Sequence, residues 1–197
     1  MIRPQRRHFR LAPILEQLLL EYTPQAHAQG LQLRLHRGPW PVVQSDPVLL
    51  DRILRNLVDN AIRHTRNGGV LIGCRRRGNT LRIEVWDSGV GIAAAEQENI
   101  FMEFHQVDNP ERDRSKGMGL GLAIVRRTAD LLKHPLILRS RPGRGSMFSL
   151  SLPLGDAQIA DPVAQKAEVP KADGQWVFVI DDLSLIHISE PTRQAEI

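Results

Sequence analysis

Cysteine is nearly missing from these 197 residues: Cys74 stands alone, so no disulfide can form within the chain. Aromatic side chains are also few, at 5%, and any core must be built from Leu, Ile and Val. No stretch approaches the about 18 consecutive apolar residues of a membrane span. The opening MIRPQRRHFR lacks the apolar run of a secretory signal. These absences predict a soluble chain in a reducing, cytoplasmic compartment, and they leave open a membrane-anchored parent. Lysine is scarce as well. Only Lys116, Lys133, Lys166 and Lys171 stand among the 26 basic residues, so the net charge of +4 is carried by arginine. Arginine suits phosphate and carboxylate recognition through its planar fork. Its positions are scattered, and the densest run, Arg75-Arg76-Arg77, reads as a solvated strand end rather than a nucleic-acid surface.

Apolar residues make up 42% of the chain, enough for one core with a tail to spare. Residues 9–22 predict a short helix, with Ile14, Leu15, Leu18 and Leu19 at helical spacing. Residues 31–36 alternate as a half-buried strand does. Asp46-Pro47 opens the best-defined helix: Asp46 suits the N-cap and Pro47 the first turn. Leu50, Ile53, Leu54, Leu57, Val58 and Ala61 then share one stripe. Asn67-Gly68-Gly69 ends it. Strands are expected over 70–77 and 81–86, a helix over 94–104, a polar loop over 107–116, a helix over 121–132, and strands over 136–141 and 147–153. Helices interleaved with hairpin-linked strands predict an α+β sandwich, a mixed sheet of about five strands with about three helices on one face. Residues 155–174, rich in Ala, Asp, Pro and Lys, read as a linker.

Three segments carry candidate chemistry. Asn56, Asn60 and Arg63 are spaced i, i+4, i+7 and share one helix face beside the apolar stripe. Asparagine is a poor helix former, and an amide oxygen can complete a magnesium shell built mainly of water and phosphate oxygens. A solvated helix face is the plainer alternative. Asp87 ends a strand, where a carboxylate can accept from an exocyclic amine, and Gly89 and Gly91 let the backbone approach a flat ring. On its own that segment is an ordinary Asp-Gly turn. Gly117, Gly119 and Gly121 precede a helix, and backbone N–H groups at a helix start can hold an anion. The spacing is neither that of a dinucleotide fold nor that of a P-loop.

Together and in order, these segments resemble the motifs of sensor histidine kinases. NLVDNAIRHT (56–65) resembles the N box, DSGVGI (87–92) the G1 box, FMEF (101–104) the F box, GMGLGLAIV (117–125) the G2 box, and GRGSMF (143–148) the final glycine–hydroxyl motif. The resemblance covers roughly residues 9–153. It implies the Bergerat two-layer α/β sandwich, with ATP and Mg²⁺ as cofactors. It also implies roles. Asn60 would hold Mg²⁺, with Asn56 and Arg63 completing the catalytic set. Asp87 would accept from the adenine amino group, beside Gly89, Gly91 and Ile92. Arg63 and His64 would lie near phosphates or ribose. Gly117, Met118, Gly119, Leu120, Gly121 and Leu122 would border the triphosphate, and Ser146 would reach the adenine side. Residues 107–116 would be a lid, with Arg114 and Lys116 as phosphate contacts. Phe101 and Phe104 would anchor that lid, or else simply pack in the core.

Asn56 stands where ATP-hydrolysing cousins carry a glutamate that activates water, so the resemblance implies a site that orients ATP for a nucleophile from another domain. The partners implied are a histidine-bearing dimerisation domain and a response regulator. His8-Phe-Arg-Leu-Ala-Pro13 superficially resembles the phosphoacceptor box, but lacks the acidic residue after the histidine, and a dimerisation hairpin does not fit before the strand at 31. The acceptor histidine is therefore expected elsewhere. The expected organisation is a lead-in segment over 1–20, an ATP-binding domain over 21–154, the linker, and then WVFVIDD. That run, within 175–182, resembles the first strand of a receiver domain. LSLIHISEPTR, within 183–197, resembles translated adapter DNA. Two other readings remain: a non-catalytic ATP sensor that docks a partner, and a serine kinase of the anti-sigma type.

Overall fold

The computed structural model describes residues 3–36, 40–105 and 119–158. The expected lid, linker (from residue 159), receiver-like strand and tail lie outside the described residues, as do Arg114, Lys116, Gly117 and Met118. Among the described residues, seven strands and three α-helices follow one another as β1 (Arg7–Arg10), α1 (Ala12–Ala28), β2 (Gln32–Leu35), β3 (Val42–Ser45), α2 (Pro47–His64), β4 (Gly69–Arg77), β5 (Thr80–Asp87), α3 (Gly121–Leu132), β6 (Leu136–Ser140) and β7 (Ser146–Pro153). The main sheet runs β2-β4-β5-β7-β6, parallel only between β2 and β4. This is the expected mixed five-stranded sheet.

The period-2 pattern sets its faces. Leu81, Ile83 and Val85 of β5 are buried with Phe148, Leu150 and Leu152 of β7, their register partners being Val85↔Phe148, Ile83↔Leu150 and Leu81↔Leu152. Against that face lie Ile53, Leu54, Leu57, Val58 and Ala61 of α2 and Val125, Ala129 and Leu132 of α3, all in one apolar cluster. Burying a side chain of this size is worth about 1.5–3 kcal/mol. The α2 stripe therefore fixes the rotation of the helix, and with it where Asn56 and Asn60 point.

The start of α2 is fixed from two directions. Asp46 Oδ1 accepts from the N–H groups of Val48 and Leu49 at 3.0 and 3.1 Å, and Asp46 Oδ2 accepts from the Gln5 N–H at 2.7 Å. Upstream, β1 pairs antiparallel with β3 in a separate two-stranded sheet. Neither strand has a local signal in the sequence, and both were missed. The pairing joins residues about 35 positions apart, and only Phe9 of β1 is buried. Leu11, Leu15 and Leu18, within the expected lead-in segment, belong to the same apolar cluster as α2 and α3, and α1 runs unbroken across position 20. His8, the superficial acceptor candidate, sits in β1, where its Nδ1 accepts from the Asp156 N–H at 2.9 Å.

Two elements depart from expectation. Helix α1 continues past residue 22 and over Pro24, because Ala26 and Leu31 are both buried beyond it; it stops before Gly30 at φ +71°. Residues 94–104 do not form a helix. They make two short 3₁₀ turns, Ala94–Glu96 and Asn99–Phe101. Gln97 between them is turned inward to donate to the carbonyls of Ile92 and Ser140, both at 3.1 Å, and Ile100 alone is buried.

Candidate nucleotide site

The C-terminal end of β5 delivers Asp87 into the layer between sheet and helices, 5% exposed. Its Oδ1 accepts from the N–H groups of Gly89 at 2.9 Å and Ser146 at 3.2 Å. These bonds orient the carboxylate, and no hydrogen bond among the described residues reaches Oδ2. Burial pushes the carboxyl up to about 6, against the opposing pull of the two backbone N–H groups. Ser146 is its direct cross-strand partner, so both side chains share a face.

Close packing surrounds the carboxylate. A Cβ on Gly89 would lie 2.4 Å from the His64 carbonyl oxygen, and one on Gly145 would lie 1.9 Å from the Asp87 carbonyl oxygen. Neither position can hold a side chain without moving backbone. The His64 carbonyl also accepts from the Val90 N–H at 3.3 Å, which ties the end of α2 to the turn after Asp87. Ile92 is held by Ser140, whose Oγ accepts its N–H at 2.7 Å, and Gly143 N–H donates to the Val90 carbonyl at 2.7 Å. The β6–β7 turn thus closes over the Gly89–Ile92 segment.

Helix α2 forms the opposite wall. Asn56 is half-buried; its Nδ2 donates to the Arg52 carbonyl at 2.7 Å, and its Oδ1 lies 3.2 Å from where a Gly121 Cβ would stand. The amide oxygen therefore faces the N-terminal turn of α3. Asn60 is half-buried one turn further along. Arg63 is exposed and pairs with Asp59 at 3.0 Å, and His64 is exposed at the helix end. Gly119 (φ +66°) and Leu120 lead into α3, which Gly121 and Leu122 begin, and the Gly119 carbonyl accepts from the Phe104 N–H at 3.2 Å.

The structure separates the two phenylalanines. Phe101 meets Phe148 edge-on at 6.4 Å with the Arg126 guanidinium 4.9 Å over its ring, so core packing accounts for it. Phe104 is 71% exposed at φ +61°. Sequence reading missed Ser140, Gln97 and Gly145 as parts of this site. Gly145 lay within a motif already noticed. Ser140 and Gln97 carry no sequence signal, because their partners lie 48 and 43 residues away.

A buried carboxylate with one oxygen fixed, on a five-stranded sheet beneath an asparagine-bearing helix and a glycine-led helix start, defines a nucleotide-binding two-layer sandwich. The family model for histidine kinase-, DNA gyrase B- and HSP90-like ATPases matches residues 45–156, and the chain belongs to that family. Within it, the chain carries the ATP-binding catalytic domain of the sensor histidine kinases. The sensor protein GacS of Pseudomonas syringae pv. syringae is 35% identical over 157 residues, 76% of this chain and 17% of that protein. The sensor-like histidine kinase SenX3 of Mycolicibacterium smegmatis is 44% identical over 127 residues, 64% of this chain and 32% of that one. Full-length ShkA, crystallised in complex with AMPPNP, matches with a TM-score of 0.70 at 29% identity, over 82% of this chain and 33% of that chain. This chain thus spans a third or less of these proteins. No helix among the described residues is long and apolar enough to cross a membrane.

Proposed function

We propose that this chain binds ATP with Mg²⁺ and presents the γ-phosphoryl group to a histidine on a separate dimerisation domain, as the catalytic part of a two-component kinase. The observation that carries the reading is Asp87: two backbone N–H groups hold one oxygen, and the other is left to accept from the amino group of adenine. The similarity to ShkA, which was crystallised with AMPPNP, supports an adenine nucleotide here.

The donor set suits a cation that arrives with its nucleotide. No group of three or more His, Cys, Asp or Glu able to hold a metal occurs among the described residues, so the ion's ligands would be phosphate and water oxygens plus the Asn60 amide oxygen. When bound, Mg²⁺ supplies neutralisation of phosphate charge. Asn60 holds it in register with the chain, and Arg63 and His64, at the same helix end, lie on the phosphate and ribose side. Gly119, Leu120, Gly121 and Leu122 border the triphosphate through the start of α3. Asn56 orients without taking a proton, since a neutral amide is no base, and water is not activated. Phosphoryl transfer then depends on positioning of the incoming imidazole. Ser146 completes the adenine side, with Gly89, Gly91 and Ile92 against the ring. The assignments of Phe104, and of Lys116, Gly117 and Met118, to the lid side follow the family motifs.

The organisation proposed for the parent is a lead-in from a dimerisation domain, this catalytic domain, a linker, and a receiver beginning near residue 175. The test is γ-labelled ATP with a separately expressed dimerisation domain. Acid-labile label on its histidine is the expected result. Label on serine instead identifies a serine kinase, and ATP binding without transfer identifies a docking sensor; either result overturns the proposal.

A further inference from the structure

We infer that Ser140, a residue outside every recognised motif, sets the purine specificity of the site by fixing the direction in which the Ser146 hydroxyl donates. The inference rests on the adenine-site reading above. Ser140 Oγ has three neighbours: the Ile92 N–H at 2.7 Å, the Gly145 carbonyl at 3.0 Å and Ser146 Oγ at 3.0 Å. An amide N–H can only donate and a carbonyl can only accept. The Gly145 carbonyl has one other donor, the Arg141 N–H at a longer 3.3 Å, so the single Ser140 proton is assigned to that carbonyl, and one lone pair takes the Ile92 N–H. The remaining lone pair takes the proton of Ser146.

Ser146 is then left with lone pairs only. It stands directly across the strand pair from Asp87, on the same face, and is 4% exposed. Both polar groups at the base edge are therefore acceptors. A purine with an exocyclic amine satisfies them, directly or through one water. A 6-oxo purine moves the edge donor to N1–H and puts an acceptor where the amine stood, so at position 6 lone pairs face lone pairs, and mismatched polar groups in a buried site are where binding sites discriminate most strongly.

The experiment compares Mg-ATP with Mg-ITP, which replaces the 6-amino group by oxygen, by calorimetry. The wild type is expected to bind ATP more tightly. Ser140→Ala frees the Ser146 proton to turn toward the 6-oxo group, and the ATP-to-ITP ratio is expected to narrow by about tenfold, the worth of one hydrogen bond. Ser140→Thr keeps the hydroxyl and should keep the ratio. Gln97→Ala loosens the same turn without touching either hydroxyl, so both nucleotides should weaken together. Equal weakening of both by Ser140→Ala reduces Ser140 to a structural brace and overturns the inference, as does a narrowed ratio in Gln97→Ala. Should Ser140→Ala fail to fold, Ser146→Ala decides between the two. Loss of an acceptor-only oxygen narrows the ratio, and an unchanged or wider ratio refutes the idea. A wild type that binds neither nucleotide removes the adenine site itself, and the inference with it.

Discussion

Replacing Asp87 by Asn should make the free protein more stable and the nucleotide complex much weaker. The carboxyl is raised from 3.8 to about 6, first by burial, with the Gly89 and Ser146 N–H groups pulling the other way. Holding it ionised at neutral pH therefore costs the fold about 3 kcal/mol. The native state keeps this proton to higher pH than the unfolded chain does. The stabilising contribution is thus complete below pH 3.8 and is lost as pH rises through about 6. Asparagine removes that cost, and its amide oxygen can still accept from both N–H groups. At about pH 7.5 the variant should gain up to about 3 kcal/mol, or about 6–12 °C in Tm for a chain of this size, and at about pH 4 almost nothing. The ligand should respond in the opposite sense. A charge-assisted bond is worth about 1.5–3 kcal/mol, so ATP affinity should fall about 10- to 150-fold. Wild-type affinity should also weaken as pH drops below about 6, in excess of the phosphate titration that both proteins share. Scanning fluorimetry and calorimetry at pH 5, 6 and 7.5 read all of this. A variant neither more stable at pH 7.5 nor weaker in binding would refute the electrostatic account of the pocket, and so would an identical pH profile in both proteins.

Four other substitutions probe groups elsewhere in the fold and the site. Asn56→Glu places a base on the α2 face opposite Gly121, and basal ATP hydrolysis should rise; phosphate release unchanged from wild type would contradict the role given to Asn56. Gly145→Ala forces a Cβ to within 1.9 Å of the Asp87 carbonyl and should cost several kcal/mol in chemical denaturation, whereas Gly143→Ala, at φ +74° with nothing nearby, should cost about 1 kcal/mol. His134, buried with its Nε2 2.7 Å from Ser45 Oγ, is depressed to about 4, chiefly by burial and next by Arg6. Its contribution to stability is present above pH 6.5 and lost as pH falls through about 4. A His134→Gln variant should show a flatter Tm-versus-pH curve between 6.5 and 4, and an equally steep curve would count against this assignment.

What could be read from the sequence was whatever a local rule governs. The stripe of α2, its Asp46 cap and the alternation of β5 each need only neighbours within a few positions, and the structure bears out all three. The strands β1 and β3 answer to no such rule. In β1, four residues with one buried side chain become a strand only because β3 is supplied as a partner from the far side of α1. Helix α1 outlasts Pro24 for a related reason: burial of Ala26 and Leu31 outweighs one lost backbone bond, about which local propensity is silent.

The candidate site divides along the same line. Asn56, Asn60, Asp87 and the glycines announce themselves by residue type and spacing. What holds them is assembled from serines, a glutamine and carbonyls brought together by the sheet: Ser140 on Ile92, Gln97 on Ser140, Gly89 under His64. The side chains that would meet a nucleotide have to be particular chemical types and so recur as motifs. The groups that orient them need only a hydroxyl or amide within about 3 Å, which many sequences can supply from many positions. Recognition by motif therefore finds the atoms that would touch a ligand and passes over those that set how these atoms are presented to it. Discrimination between a 6-amino and a 6-oxo purine is for that reason sought in Ser140 rather than in any of the glycine boxes.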